Sequence, residues 1–326
     1  MHTEILASDQ ESAIDQALDL LRRAQVVALP TETVYGLAGS ALKPEAVANI
    51  FSAKERPSFD PLIVHLPNMS WLEQVAEIPD EGRILIGKLL QDLWPGPLTV
   101  LLPRRDIVPD LVTAGLPRVA LRMSAHPFFS RIITAFDAPL AAPSANRFGR
   151  ISPTTAQHVF EELNGRIPLI IDAGRTRHGL ESTIIAVKGN RIGIFRKGPI
   201  TAEKLSEYAE VDDHTSNRTI SAPGQLASHY APRTRLRILS DRDEFSPPPY
   251  LRVGLLAWQN ADFDAHFTAT RILSPTGDFK EAAANLFLFL RELDNLDLDL
   301  IVVEKVPNQG LGAAIMDRLT RAAARG

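Results

Sequence analysis

The stretch LPTETVYGLAGSA, residues 29–41, follows an apolar run that predicts a strand buried on both faces. Pro30 ends that strand, because proline has no N–H to give to a central ladder. The polar side chains and glycines that come next are Thr31, Glu32, Thr33, Tyr35, Gly36 and Gly39. Polar groups at the end of a core strand are where an open α/β sheet binds its ligands. The alternative is an ordinary turn in which the threonines only satisfy backbone donors.

The segments around this stretch alternate between apolar, strand-like runs and amphipathic helical patterns. Helical spacing precedes it at residues 12–25, and a strand–loop–helix arrangement is expected from the stretch itself to Lys54. Further strands and helices continue to Arg196, and Ser152 is placed to cap one of these helices. Residues 1–204 are therefore predicted to form a mixed α/β sheet with short helices, in a strand order that periodicity does not reveal.

Composition changes after Lys204. Residues 205–233 are polar, carry charges of both signs and contain Pro-Gly and Ala-Pro pairs, so we expect a linker there. Strands alternate with helices again over residues 234–326, which predicts a second, smaller α/β domain with a parallel, Rossmann-like sheet.

The composition of the chain excludes several kinds of site. Its 326 residues carry a formal net charge of -4 and include no cysteine, which excludes disulfides, thiolate zinc sites and a cysteine nucleophile. The N-terminus lacks a signal-peptide pattern and no apolar run approaches the ~20 residues of a membrane span, so we expect a soluble, cytoplasmic protein. The sequence also lacks the phosphate-binding motifs Gly-x-x-x-x-Gly-Lys-Ser/Thr and Gly-x-Gly-x-x-Gly. It lacks the His-Glu-x-x-His motif of zinc proteases and the Gly-x-Ser-x-Gly motif of serine hydrolases as well. Any phosphate chemistry must therefore use a local cluster of lysine and arginine.

Two pairs of cations are candidates for that cluster. Lys54 and Arg56 flank Glu55 at a predicted helix end, where an ammonium and a planar guanidinium can hold phosphate oxygens. The alternative is a solvated helix C-terminus, where the macrodipole favours cations. Arg118 and Arg122 lie four residues apart in a predicted strand and so share one face. They need either a bound anion or structural pairing with carboxylates, and the sequence leaves both open.

A hydroxyl-rich turn supplies further candidates. Ser144 and Asn146 have short side chains suited to phosphate or ribose, and Ser152 begins a helix whose N-terminus favours an anion. A plain turn with a cap is the alternative. His65 ends an apolar strand, where a packed core histidine is the more common case.

Taken together, these segments resemble the YrdC family of threonylcarbamoyl-AMP synthases in its long, two-domain form. The residues that carry the resemblance to the catalytic domain are 30–37, 54–57, 61–65, 94–99, 118, 122, 143–146, 152–154, 181–184 and 196–198. Residues 222–224, 229–232 and 313–319 resemble the linker and the C-terminal domain. Asp60 departs from the pattern, because the family usually has an asparagine there and a carboxylate cannot donate a hydrogen bond.

The resemblance implies a twisted, mixed open sheet with a ligand groove and a nucleotidyltransferase activity. The reaction joins L-threonine, bicarbonate or CO2, and ATP into L-threonylcarbamoyl-AMP and pyrophosphate, the first step of t6A modification of tRNA. The expected downstream partner is the t6A transferase machinery that receives the adenylate, and direct tRNA binding is not expected to be essential. Membrane association is not expected.

The same resemblance implies the roles of individual residues. Lys54 and Arg56 would act in catalysis, and Tyr230 would reach from the linker as part of a lid that excludes water. The residues expected to bind L-threonine are Thr33, His65, Arg122, Ala142 and Ser182. The residues expected to bind ATP are Lys54, Arg56, Asp60, Arg118, Ser144, Asn146, Ser152, Arg196 and Tyr230. No protein side chain is expected to bind a metal, since Mg2+ would be held by the phosphates.

Two other functions compete with this one. A non-catalytic RNA-binding module would use the basic groove of the first domain, but the net negative charge and the lack of interleaved aromatic and basic residues argue against it. A carbamoyltransferase of hydrogenase maturation shares a domain of this kind. Such proteins are expected to carry cysteine-rich zinc modules, and this chain has no cysteine.

Overall fold

The computed structural model describes residues 1–215, 222–225, 230–240, 245–261 and 266–324. The chain divides into two compact units. Unit 1 comprises Met1–Phe148, Pro153–Arg177 and Glu181–Gln225, and unit 2 comprises Gly149–Ser152, His178–Leu180 and Leu226–Gly326. Each unit has its own sheet and its own core, and they are described in turn.

Unit 1 is built on a large mixed sheet, as predicted. Its described strands are β1 Glu4–Ala7, β2 Val27–Leu29, β3 Gly36–Ser40, β4 Ile63–His65, β5 Leu98–Pro103, β6 Arg118–Arg122, β7 Leu140–Ala141, β8 Leu169–Asp172, β9 Thr183–Lys188, β10 Arg191–Arg196 and β11 Glu210–Asp213. The spatial order is β1-β8-β2-β3-β7-β4-β6-β5-β9-β10-β11. Several neighbours on the sheet, such as β8 and β2 or β5 and β9, are distant in sequence, and this brings remote segments together.

Short helices cover this sheet. They are α1 Ser12–Arg22, α2 Pro44–Lys54, α3 Leu72–Val75, α4 Arg83–Leu93, α5 Asp110–Thr113, α6 Pro127–Phe136, α7 Ala156–Leu163 and α8 Ala202–Ser206. Pro44 begins α2, where its missing N–H is not needed. Glu55 ends it in the left-handed conformation, with φ 53°. Lys54 and Arg56 therefore lie on either side of the C-terminal residue at which α2 ends.

The segment after Tyr35 is a strand and not the predicted loop. All five residues of β3 are buried, and β3 runs antiparallel to β2. Glycine, alanine and serine have low strand propensity, so their pattern did not indicate a strand. The small residues let β3 approach its neighbours closely: a Cβ on Gly36 would lie 3.3 Å from the Cβ of Ala142. The polar residues 30–35 therefore form a tight connection between two antiparallel strands.

Two further details differ from the sequence analysis. The helix α8 and the strand β11 include residues of the predicted linker, yet both belong to unit 1, and β11 pairs in parallel with β10. Thr155 rather than Ser152 caps α7, because the Thr155 hydroxyl accepts a hydrogen bond from the His158 N–H at 3.2 Å. Residues 216–221 and 226–229 of the predicted linker lie outside the described residues.

Unit 2 contains the smaller parallel sheet that the sequence predicts. Its described strands are β12 Arg235–Ile238, β13 Val253–Ala257, β14 Ala269–Ile272 and β15 Leu300–Val303, in the order β12-β15-β13-β14. All of their pairings are parallel. The helices are α9 Phe279–Asp294 and α10 Leu311–Ala323, and Asp278 caps α9 by accepting from two backbone N–H groups. Among the described residues, no helix is both long and apolar enough to cross a membrane.

Candidate functional site

Arg122, the last residue of β6, is the centre of a buried polar cluster in unit 1. Its guanidinium donates to the Thr33 hydroxyl at 3.0 Å, to the Glu32 carboxylate at 2.6 Å and to the Gly96 carbonyl at 3.2 Å. The Thr31 hydroxyl holds Thr33 from the other side, at 2.8 Å between the oxygens. Within the described residues these contacts use three of the five N–H groups of the guanidinium, so two remain for a ligand.

Glu32 is the counter-ion of Arg122, so the carboxylate pairing left open by the sequence is present. Its second oxygen accepts a hydrogen bond from the Ser124 hydroxyl at 2.5 Å, and its side chain is 8% exposed. Burial by itself raises the pKa of Glu32, but the Arg122 charge and the Ser124 hydrogen bond outweigh burial and hold it at about 2. Glu32 therefore stays ionised and fixes the orientation of Arg122. Glu32 and Arg122 are 90 residues apart, so the local sequence pattern does not indicate their pairing.

His65 lies beside Arg122, as its partner in the pairing of β4 with β6. It is buried, and its ring centroid lies 4.7 Å from that of Phe129. Burial and the neighbouring Arg122 charge lower the pKa of His65 to about 3, against the opposing effect of Glu32, so the imidazole is neutral at pH 7. Its Nδ1 atom has no hydrogen-bond partner among the described residues. A buried, unpartnered ring nitrogen is suited to a polar ligand.

Ser182 and Arg196 form a second cluster, between the ends of β9 and β10. The Arg196 guanidinium donates to the carbonyl and to the hydroxyl of Ser182, each at 3.0 Å. The Thr99 hydroxyl lies 2.7 Å from that of Ser182, and all three residues are buried. Thr99 belongs to the quoted 94–99 motif, but its role as the partner of Ser182 depends on the parallel pairing of β5 with β9.

Lys54 joins the hydroxyl-rich turn to the end of α2. Its side chain is 1% exposed, and Nζ donates to the carbonyls of Ser144 and Asn146, both at 2.5 Å. Burial, with the nearby Arg56 charge, lowers the pKa of Lys54 well below its usual value. Ala142 stands at the start of this turn and donates its N–H to the Ile63 carbonyl at 2.9 Å. The turn is thus fixed to α2 and to β4.

Arg56 and Asp60 form a buried ion pair at the same end of α2. Nη2 of Arg56 lies 2.8 Å from Oδ2 of Asp60, with side chains that are 5% and 1% exposed. Arg56 also donates to the main-chain carbonyls of Asp60 and Pro61, at 3.1 and 2.8 Å. The positive charges of Lys54 and Arg196, as well as that of Arg56, favour the ionised form of Asp60 and act to lower its pKa. Three of the four cations predicted to bind ATP therefore act electrostatically on this carboxylate.

Arg118 occupies different surroundings from Arg122, although both lie in β6. Its guanidinium carbon lies 5.1 Å from the centre of the Phe195 ring, a cation–π contact. Burial lowers the pKa of Arg118, though not enough to remove its charge.

Two predicted ATP-binding residues belong to unit 2. Ser152 is buried in the segment Gly149–Ser152. Tyr230 is 1% exposed, with its ring stacked on Phe287 at 5.5 Å between centroids and the Arg318 guanidinium carbon 5.0 Å from its own ring centre. The remaining predicted site residues all belong to unit 1.

The described residues contain no group of three histidine or acidic side chains placed to hold a metal ion. Asp60 is the one carboxylate among the residues predicted to bind ATP, and it is paired with Arg56.

Two family models match the chain, one after the other. Residues 19–198 match the Sua5/YciO/YrdC family model, described as telomere recombination, and residues 200–324 match the model of the threonylcarbamoyl-AMP synthase C-terminal domain. A threonylcarbamoyl-AMP synthase of Pyrococcus abyssi is 38% identical, over 96% of this chain and 94% of that protein. One of Bacillus subtilis is also 38% identical, over 97% and 94%.

A solved structure resembles both units. The crystal structure of P. abyssi Sua5 complexed with L-threonine superposes with a TM-score of 0.87 and 35% sequence identity, covering 99% of this chain and 98% of that one. The family suggested by the short motifs is confirmed by these matches over nearly the whole length. The chain belongs to the Sua5/YciO/YrdC family, in the form that also carries the C-terminal domain of threonylcarbamoyl-AMP synthases.

Proposed function

We propose that this chain synthesises L-threonylcarbamoyl-AMP from L-threonine, bicarbonate or CO2, and ATP, and releases pyrophosphate. The amine of threonine adds to CO2 and loses a proton, which gives a carbamate. A carbamate oxygen then attacks the α-phosphorus of ATP in line, and the bond from that phosphorus to the bridging oxygen breaks. No enzyme nucleophile takes part, in keeping with the absence of cysteine. The contribution of the protein is positioning and charge stabilisation.

The Arg122 cluster is proposed to bind threonine. The two unused N–H groups of Arg122 suit the threonine carboxylate, while Glu32 holds the guanidinium in place. Thr33 and the neutral His65 offer hydrogen bonds to the remaining polar atoms. Ser182 and the backbone of Ala142 complete the proposed threonine contacts.

The cations beside Asp60 are proposed to bind the triphosphate. Lys54 and Arg56 would neutralise charge that develops on the phosphates during attack, with Arg118 and Arg196 as further cations. Ser144, Asn146 and Ser152 supply short polar groups for phosphate and ribose. The observation that most supports the proposal is that Lys54 and Arg56 at the end of α2, and Arg196 from the distant strand β10, act on one buried position, Asp60. ATP would arrive as its Mg2+ complex, and the metal would neutralise charge on the phosphates.

The linker is proposed to close over the nucleotide. Tyr230 is the residue proposed to contact ATP, and since its ring is 1% exposed between Phe287 and Arg318, that contact requires the ring to leave this packing. A lid suits the product, because an adenylated carbamate is an anhydride that water hydrolyses. The product would pass to the t6A transferase machinery, with tRNA modification in the cytoplasm as the setting.

The test is incubation of the full chain with L-threonine, bicarbonate, ATP and Mg2+, followed by mass spectrometry and a pyrophosphate assay. We expect the mass of threonylcarbamoyl-AMP and pyrophosphate release that requires threonine and stops on chelation of Mg2+. Arg56→Ala should lower the rate at least about tenfold, as for comparable charge-stabilising groups. Arg83→Ala, at an exposed ion pair with Asp80, serves as the control and should not change it.

Turnover that does not depend on threonine would contradict the proposal. So would salt-sensitive RNA binding without ATP consumption, which is the outcome expected of a non-catalytic RNA-binding module.

A further inference from the structure

Asp60 is a fully buried carboxylate among residues proposed to bind a triphosphate. Its Oδ2 atom lies 2.8 Å from Nη2 of Arg56. Neither carboxylate oxygen accepts a well-aligned hydrogen bond within the described part of the chain. The contact with Arg56 is therefore a charge contact, without the hydrogen bonds that normally accompany a stabilising buried pair.

The other charged groups that act on Asp60 are also cations. They are Lys54, the last residue of α2, and Arg196, the last residue of β10, which both act on its charge. Burial nevertheless outweighs Arg56, Lys54 and Arg196 and raises the pKa of Asp60. Burial thus opposes the negative charge that the contact with Arg56 favours.

Arg56 is held on its own loop by this arrangement. Besides the Asp60 carboxylate, it donates to the carbonyls of Asp60 and Pro61. A phosphate that approaches Arg56 must compete with a carboxylate already in contact with it. Phosphate and carboxylate are both acceptors of the guanidinium fork, and two anions at one such position repel each other.

On the basis of the proposed function, we propose that Asp60 is a built-in competitor for the phosphates of ATP. Its carboxylate neutralises Arg56 in the nucleotide-free protein, and ATP binds after the contact between Asp60 and Arg56 opens. Asp60 thereby weakens nucleotide binding, and the loss of affinity increases with the negative charge of the ligand. Repulsion grows with each phosphate that reaches the cations, and a ligand without phosphate is not affected.

The experiment is calorimetric titration of the full chain with adenosine, AMP, ADP and ATP in bicarbonate-free buffer at one pH and salt concentration. The neutral variants Asp60→Asn and Asp60→Ser should bind ATP about tenfold more tightly than the wild type, since one buried like charge is removed. The gain should be smaller for AMP and absent for adenosine. Asp60→Glu keeps the charge and should show no gain.

Asp110→Asn is the matched control, because Asp110 is an exposed partner of Arg104. It should leave all four affinities unchanged. Thermal unfolding verifies that each variant is folded, and two neutral variants are used so that loss of folding in one does not decide the result.

The outcomes separate this inference from the proposed function. ATP affinity that is unchanged or weaker in both neutral variants, or an equal gain for adenosine and ATP, would overturn the inference and leave the proposed function standing. A folded wild-type protein that binds neither ATP nor its analogues would overturn both.

Discussion

Replacement of Glu32 by glutamine removes the carboxylate that faces Arg122 and leaves a guanidinium that is only 4% exposed without its counter-ion. The pKa of Glu32 falls from 4.5 to about 2 on folding, and this corresponds to about 3 kcal/mol of stability. Loss of one partner from a buried ion pair costs about 3–5 kcal/mol in comparable cases. We therefore expect Glu32→Gln to lower the free energy of unfolding by about 3 kcal/mol at pH 7.

The pH dependence of this effect has a definite sign. The folded pKa lies below the unfolded one, so the contribution of Glu32 is fully present above pH 4.5 and is lost as the pH falls toward about 2. The difference in stability between the wild type and Glu32→Gln should be constant from pH 7 to about pH 5 and shrink at more acid pH.

Urea unfolding of the full chain, followed by tryptophan fluorescence, measures this difference. Trp71 and Trp94 report on unit 1, and Trp258 reports on unit 2. Asp212→Asn is the control, since its ion pair with Arg191 is solvent-exposed and screened by water. A loss below about 1 kcal/mol at pH 7, or a loss equal to that of the control, would refute the reasoning, because only an exposed pair is worth so little.

Two further predictions concern single side chains in unit 1. The pKa of His65 is about 3 in the folded state against 6.5 in the unfolded state, so the unfolded state binds more protons between these pH values. The free energy of unfolding should therefore fall by up to about 1.4 kcal/mol per pH unit as the pH drops from 6.5. His65→Leu should remove this dependence, as measured by urea unfolding at pH 7 and pH 5. Gly198→Ala should lower the melting temperature, because its Cβ would lie 2.5 Å from the Thr183 nitrogen. Gly87→Ala in α4 meets open space and should stabilise the fold by about 0.5–1 kcal/mol. Equal effects of the two substitutions would contradict this account.

Local pattern predicted most of the helices and strands. In the helix α4, apolar residues recur every three or four positions and Trp-Pro follows, which stops a helix. The pattern failed at β3, where buried glycine, alanine and serine form a strand because neighbouring strands accept their close approach. The strands β1 and β14 have only four residues each, too few for a periodic pattern to indicate them.

The sequence by itself determined the family, the fold class and the types of side chain available for chemistry. Family motifs and the hydrophobic period are local properties, and each can be read without knowing its neighbours in space. The comparisons confirm the family over nearly the whole chain.

Only the tertiary structure decided which of these side chains face one another. The pairing of β4 with β6 puts His65 beside Arg122, and the pairing of β5 with β9 puts Thr99 against Ser182. These pairs are distant along the chain, so no local pattern contains them. The pKa shifts of the site residues also depend on the tertiary structure, because the burial and the neighbouring charges that cause them exist only after the sheet has formed.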